Sequence, residues 1–327
     1  MRLALILAAF PCLAAAANCG QCHAREQRAH GSTSMAAALT RAADAAILRD
    51  NPDLTYREGP YTYTIRHGVY SVTNGTDTIT APLAWAFGLG GVGQTYVFER
   101  NGKWHESRVS YYGQARGLDL TLGARNLSPK NLGEAAGREM SPKDTAACFG
   151  CHSGNAVRGL QVDFGAIVPG VQCENCHEGA ARHEAAVRAG NVAGAALKKL
   201  SALDTEQISD LCGKCHRTWS DIATNGPQGI QNVRFQVYRL TNSKCYNVAD
   251  RRISCTACHD PHQEVEHASA SYDKKCNACH GVSAKACPTG KPDCAGCHMP
   301  KYEIPGSHHL FSDHQIRIVR PNETYPN

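Results

Sequence analysis

The chain has 327 residues, room for one large domain or two ordinary ones, with 7% aromatic residues and a formal net charge of +5. That small positive balance makes no case for nucleic acid, since neither a lysine-rich run nor an aromatic stacking platform accompanies it. Seventeen cysteines and sixteen histidines carry most of the chemical information.

The first residues read as an export signal. Met1-Arg2 is a short basic start, residues 3–13 are apolar, and Ala15-Ala16-Ala17 offers a cleavage site before Asn18. The apolar stretch is shorter than the roughly 18 residues a membrane span needs. Cys12 falls inside the segment expected to be removed. No later segment is apolar enough to span, so the mature protein is expected to be exported, periplasmic or at the cell surface, and not membrane-spanning.

The sequence Cys-x-x-Cys-His occurs seven times: Cys19, Cys22 and His23; Cys148, Cys151 and His152; Cys173, Cys176 and His177; Cys212, Cys215 and His216; Cys255, Cys258 and His259; Cys276, Cys279 and His280; Cys294, Cys297 and His298. This is the attachment signature of c-type haem. Two thiols about one helical turn apart add to the two vinyl groups of one porphyrin, and the adjoining imidazole reaches the iron. At these frequencies chance supplies on the order of 0.04 such motifs in a chain of this length. A disulfide scaffold does not require a His after every cysteine pair, and structural zinc does not require it seven times. Seven covalent c-type haems are therefore expected.

Taken in order, residues 18–59 hold the first motif, then a helix over 34–49 with Met35, Leu39, Ala43 and Ile47 on one face, ended by Asn51-Pro52. His30 stands free of any motif and is a candidate distal ligand; Met35 is a weaker one. Residues 60–112 lack cysteine and read as a small antiparallel β insertion. Tyr61, Tyr63 and Ile65 alternate with polar residues, strands are expected at 69–73, 77–86, 94–99 and 104–111, and Asn74-Gly75 and Asn101-Gly102 mark hairpins. The glycine-rich run 88–93 lacks a phosphate-loop lysine and reads as a turn. His67 and His105 read as strand residues, not ligands. Residues 113–147 read as a loop linker broken at Ser128-Pro129 and Ser141-Pro142. Residues 148–327 form the six-haem domain with a ligand-bearing tail. Helices are expected at 180–189 and 193–200, with another starting near Asp204. His183, His262, His309 and His314 are the distal candidates there, with His267 and His308 as alternates. Cys245 and Cys287 remain outside the motifs and are expected to form a disulfide.

The first motif with Met35, Gln172 to His177 followed by His183, Cys255 to His262, and Cys294 to Lys301 followed by His314 together resemble exported multihaem cytochromes c, related to the tetrahaem cytochrome of ammonia oxidisers and the haem domains of nitrite and hydroxylamine enzymes. The resemblance implies bis-His, low-spin haems stacked in pairs, with His183, His262 and His314 as distal ligands. It implies a multihaem cytochrome c fold of mostly short α-helices and loops packed around haems, with the β insertion as an addition. The lysine that replaces the motif His at the catalytic haem of that family's reductases is absent here.

The expected function is electron transfer along closely spaced haems, with other cytochromes or a membrane quinol oxidase system as redox partners. Two alternatives stand beside it. One is an oxidoreductase acting on a small nitrogen or sulfur compound at one open iron; the other is a subunit of a haem filament or other oligomer.

Overall fold

The computed structural model describes residues 18–191, 193–281, 287 and 291–326. The expected leader, with Cys12, lies outside the described residues.

The dominant element is a nine-stranded antiparallel sheet. Its strands are β1 (Leu39–Arg41), β2 (Asp53–Glu58), β3 (Tyr61–Arg66), β4 (Val69–Thr73), β5 (Thr78–Phe87), β6 (Gln94–Arg100), β7 (Lys103–Tyr112), β8 (Gly117–Leu120) and β9 (Gly137–Glu139). The meander β2 to β8 is continuous, β1 adds to β5 and β9 adds to β7. β2 lies against β8, so the sheet nearly closes on itself as a barrel. Alternation decides which face is inside: Tyr61, Tyr63 and Ile65 of β3 are buried, while the residues between them are partly exposed. Tyr70, Val72, Tyr96 and Phe98 complete that core. Arg108 is also buried there, and its Nε and Nη2 donate to the two oxygens of Glu58 at 2.8 and 2.9 Å. The turn at Asn101-Gly102 holds both residues at positive φ, 51° and 72°, which an Asn-Gly pair tolerates best. His67-Gly68 makes the same two-residue turn between β3 and β4.

This overturns the expectation of mostly short helices and loops packed around haems with a small β insertion. The sheet runs from residue 39 to residue 139 and buries its own aromatic core. Short flanking segments complete it because open strand edges need partners. The helix expected over 34–49 forms only at its end, as Ala46–Asp50 after the 3-10 turn Ala42–Asp44. Leu39 pairs with Phe87 across the sheet and is 1% exposed, so tertiary pairing overrides the helical stripe. The linker 113–147 is not loop throughout: it contains β8, the helix Leu132–Ala136, β9 and the start of the helix Pro142–His152. Residues 193–200 make 3-10 turns at Ala193–Ala195 and Leu200–Ala202 in place of a helix.

From residue 142 onward the described residues form short helices and three small two-stranded ribbons, Ser153–Gly154 with Val168–Pro169, Val157–Arg158 with Gln161–Val162, and Lys301–Glu303 with Leu310–Ser312, joined by loops. Phe149, on the helix Pro142–His152, is fully buried and meets Trp85, Phe87 and Phe164 edge-on. That aromatic joint fixes the second motif against the sheet.

Candidate functional site: the cysteine–histidine motifs

Each motif is built on one helical turn, which sets its two thiols near each other. Cys148–His152 and Cys212–His216 end the helices Pro142–His152 and Thr205–His216. Both helices begin with a capping box, Ser141 with Asp144 and Asp204 with Gln207. Cys173–Cys176 and Cys255–Cys258 are single turns, and in each the following His amide donates to the first cysteine's carbonyl, at 2.8 and 2.9 Å. The sixth motif ends the helix Asp273–His280, and the seventh is the helix Cys294–His298. Asp273 accepts from the backbone nitrogens of Asp293 and Cys294 at 2.7 and 2.8 Å, tying the last two motifs together.

Three motif histidines face a second histidine. His23 and His183 have ring centroids 6.3 Å apart, His177 and His262 6.1 Å, and His259 and His314 6.3 Å. Two imidazoles bound to one metal through bonds of about 2.0 Å would stand with their centroids about 6 Å apart. The His177 and His262 rings are parallel to within 3°.

The outer nitrogens are held as a metal-binding imidazole requires. The Nδ1 atoms of His152, His298 and His314 donate to the carbonyl oxygens of Ala38, Arg317 and Ser312 at 2.9, 2.8 and 3.1 Å. His183 Nδ1 donates to the Ala195 carbonyl, and His216 Nδ1 lies 3.1 Å from Gln236 Oε1. Such a bond fixes the tautomer and leaves Nε2 with its lone pair for a metal. Burial pushes the imidazoles of His152, His177 and His259 below their ordinary range. His314 is lowered to about 4, chiefly by burial, against the opposing effect of its bond to Ser312. These rings are neutral near pH 7, the form that binds iron.

The remaining candidates are placed otherwise. His30 Nε2 bonds the Val171 carbonyl at 2.9 Å and faces no motif histidine among the described ring pairs. His309 packs edge-on against Phe311 and bonds the backbone at Gly91. His308 bonds Asp119 at 2.6 Å and tilts against Tyr112. His267 neighbours His309 and Glu264. His105 stacks on Phe98 inside the sheet, and His67 sits in its hairpin turn. His280 is exposed.

Thiols of different motifs meet. Cys19 reaches Cys173, Cys151 reaches Cys215, Cys212 reaches Cys255, and Cys276 reaches Cys294. Cys151 is lowered to about 7, first by its bond with Cys215 and against burial. The expected Cys245–Cys287 disulfide is not formed, and no described cysteine pair is bonded. Cys245 lies instead among Cys258, Cys276 and Cys279 of the fifth and sixth motifs.

A family model described as "Cytochrome c554 and c-prime" matches residues 105–178, which include the second and third motifs. The match supports a c-type cytochrome. It supports covalently attached haem and electron transport with redox partners. The matched stretch is less than a quarter of the chain. No curated protein matches the chain, and no solved structure matches it.

The residues fit such a cofactor. Among the described residues no three His, Cys, Asp or Glu side chains gather at one point as a metal site. A porphyrin, which supplies four of the iron's ligands itself, needs only the paired imidazoles. Arg234 Nε is buried without a hydrogen-bond partner, and the charge of Arg217 repels it. The rest of the guanidinium lies over the Phe235 ring, and the unpartnered Nε would suit an acceptor such as one of the two propionate carboxylates a haem brings. Sequence reasoning missed these arginines because an arginine beside a motif looks like any solvated charge. It missed the carbonyls of Ala38, Ala195 and Arg317 because backbone acceptors leave no mark in a sequence. Among the described residues no helix is long and apolar enough to cross a membrane.

Proposed function

We propose that this chain is an exported electron carrier with one c-type haem on each of its seven motifs, bis-His at three of them at least. The axial pairs are His23 with His183, His177 with His262, and His259 with His314. The observation that carries the reading is the set of three facing histidine pairs at about the spacing of two imidazoles on one iron. The cysteines of each motif hold the cofactor, the axial pairs saturate the iron, and the bonded Nδ1 atoms hold the rings in place. A saturated iron keeps its geometry on reduction, which suits transfer over turnover. The meeting of thiols from different motifs supports short distances between neighbouring sites. Export is supported by the leader-like start and by the haem chemistry itself. The partners are redox proteins of the same compartment.

The test is haem content per chain by the alkaline pyridine spectrum, with low-temperature electron paramagnetic resonance (EPR) of the oxidised protein. Seven haems, low-spin signals and no response to cyanide support the carrier. Fewer haems, or a high-spin iron that binds cyanide in the intact protein, would sink it.

A further inference from the structure

The tail beyond the last motif holds a buried ionic cluster. Arg239, on the helix Gln236–Thr241, is fully buried, as is Asp313. Arg239 Nε and Nη2 donate to the two Asp313 oxygens at 2.8 and 3.0 Å. Arg317 Nη1 donates to Asp313 Oδ2 at 2.7 Å, and its Nε donates to Glu323 at 2.9 Å. Arg239 Nη2 also donates to Gln315 Oε1 at 2.6 Å, and its Nη1 donates to the Pro326 carbonyl and Asn232 Oδ1 at 2.8 and 3.3 Å. Two cations and two anions leave the cluster neutral. Desolvation makes a buried pair a weak source of stability. What such a pair supplies best is one fixed geometry, because a bidentate fork accepts a carboxylate in one orientation.

That geometry reaches two sites at once. His314 follows Asp313 directly. Its carbonyl accepts from Ser243 Oγ at 2.9 Å, and its ring faces His259 at 6.3 Å. Three residues on, the Arg317 carbonyl accepts from Nδ1 of His298 in the seventh motif at 2.8 Å, and the Arg317 amide donates to the His298 carbonyl at 3.2 Å. The segment 313–317 thus presents the second imidazole of the fifth motif and orients the histidine of the seventh.

We propose that Asp313, Arg239 and Arg317 are positioning residues that form one mount for two iron sites, so that the His259–His314 site and the His298 site respond together. The inference rests on the proposed haem loading. Asp313→Asn keeps the side-chain size but leaves the buried Arg239 with no carboxylate and Arg317 with Glu323 alone. The segment then relaxes and both histidines lose their placement.

Peptide mass spectrometry comes first, to show haem on the Cys255–Cys258 and Cys294–Cys297 peptides of the wild type and the variants. Haem missing from those wild-type peptides means that the carrier reading has failed, and the mount with it. With haem present, Asp313→Asn is expected to shift two low-spin EPR signals. His314→Gly is expected to shift one, restored by added imidazole. Arg239→Lys keeps the charge without the fork and gives the same two shifts at smaller amplitude, and it carries the test if Asp313→Asn does not fold. Glu58→Gln breaks a buried ion pair in the sheet and should lower the melting temperature without moving any signal. The proposal is overturned if the mount variants leave the signals unmoved or shift only the one that His314→Gly shifts.

Discussion

His314 shows how one position can settle a site. Its ring is half-buried, low in basicity and opposite His259. His314→Gly should open one coordination position: cyanide should bind one equivalent per chain where the wild type binds none, as optical titration would show. A second residue-scale prediction concerns Asp119, which joins β8 to the tail. Burial pushes its pKa up, but bonds from His308 and the Leu120 amide, with Tyr56 and Arg125 nearby, more than offset that and hold it below 3.8. A lowered carboxylate contributes stability that is fully present above the ordinary value and is lost as pH falls through the folded one. The melting temperature of Asp119→Asn should therefore lie below wild type at neutral pH, and the gap should close as pH drops below 3.8; a gap independent of pH would refute this. The histidines themselves were legible because free histidines close behind a motif are few. Their partners were not. His183 follows the third motif but faces the first, His262 follows the fifth but faces the third, and His314 follows the seventh but faces the fifth. Nothing local encodes that offset.

Elements were legible mostly where alternation and turn signals met, and β2 (Asp53–Glu58), outside the expected insertion, was missed. The long strands β4 to β7 follow from alternation and from Asn-Gly turns. The strands β1, β8 and β9 have three or four residues, too few to show a period, and exist because a longer neighbour offers them an edge. Ser141-Pro142 misled for a different reason. The pair that disrupts a helix interior is equally suited to begin one, with serine as cap and proline in the first turn. Ser141→Ala should therefore cost about 1 kcal/mol of stability. The midpoint of urea unfolding should fall accordingly, while the haem spectrum of the folded protein stays as it is. An unchanged midpoint would mean that the cap does not limit this helix.

At the scale of the whole molecule, the expectation of a cofactor-filled core failed because the segment without cysteine has apolar side chains enough to fill its own. Tyr63, Tyr70, Tyr96 and Phe98 close the interior of the sheet. Phe149 is one of the places where the two halves meet, and Phe149→Ala should cost about 3–5 kcal/mol. It should also loosen the second motif from the sheet, seen as faster proteolysis between residues 112 and 148 at unchanged haem content. If the cost is small and cleavage does not change, the joint lies elsewhere.

The facing histidines also impose an order of completion on a chain that is made from its N-terminus. His23 must wait for His183, 160 residues later, and His259 waits 55 residues for His314. Until then each first ligand stands alone, and its site is exposed to whatever small molecule the compartment holds. A chain cut short before residue 314 would carry all seven motifs and still leave the fifth site half made.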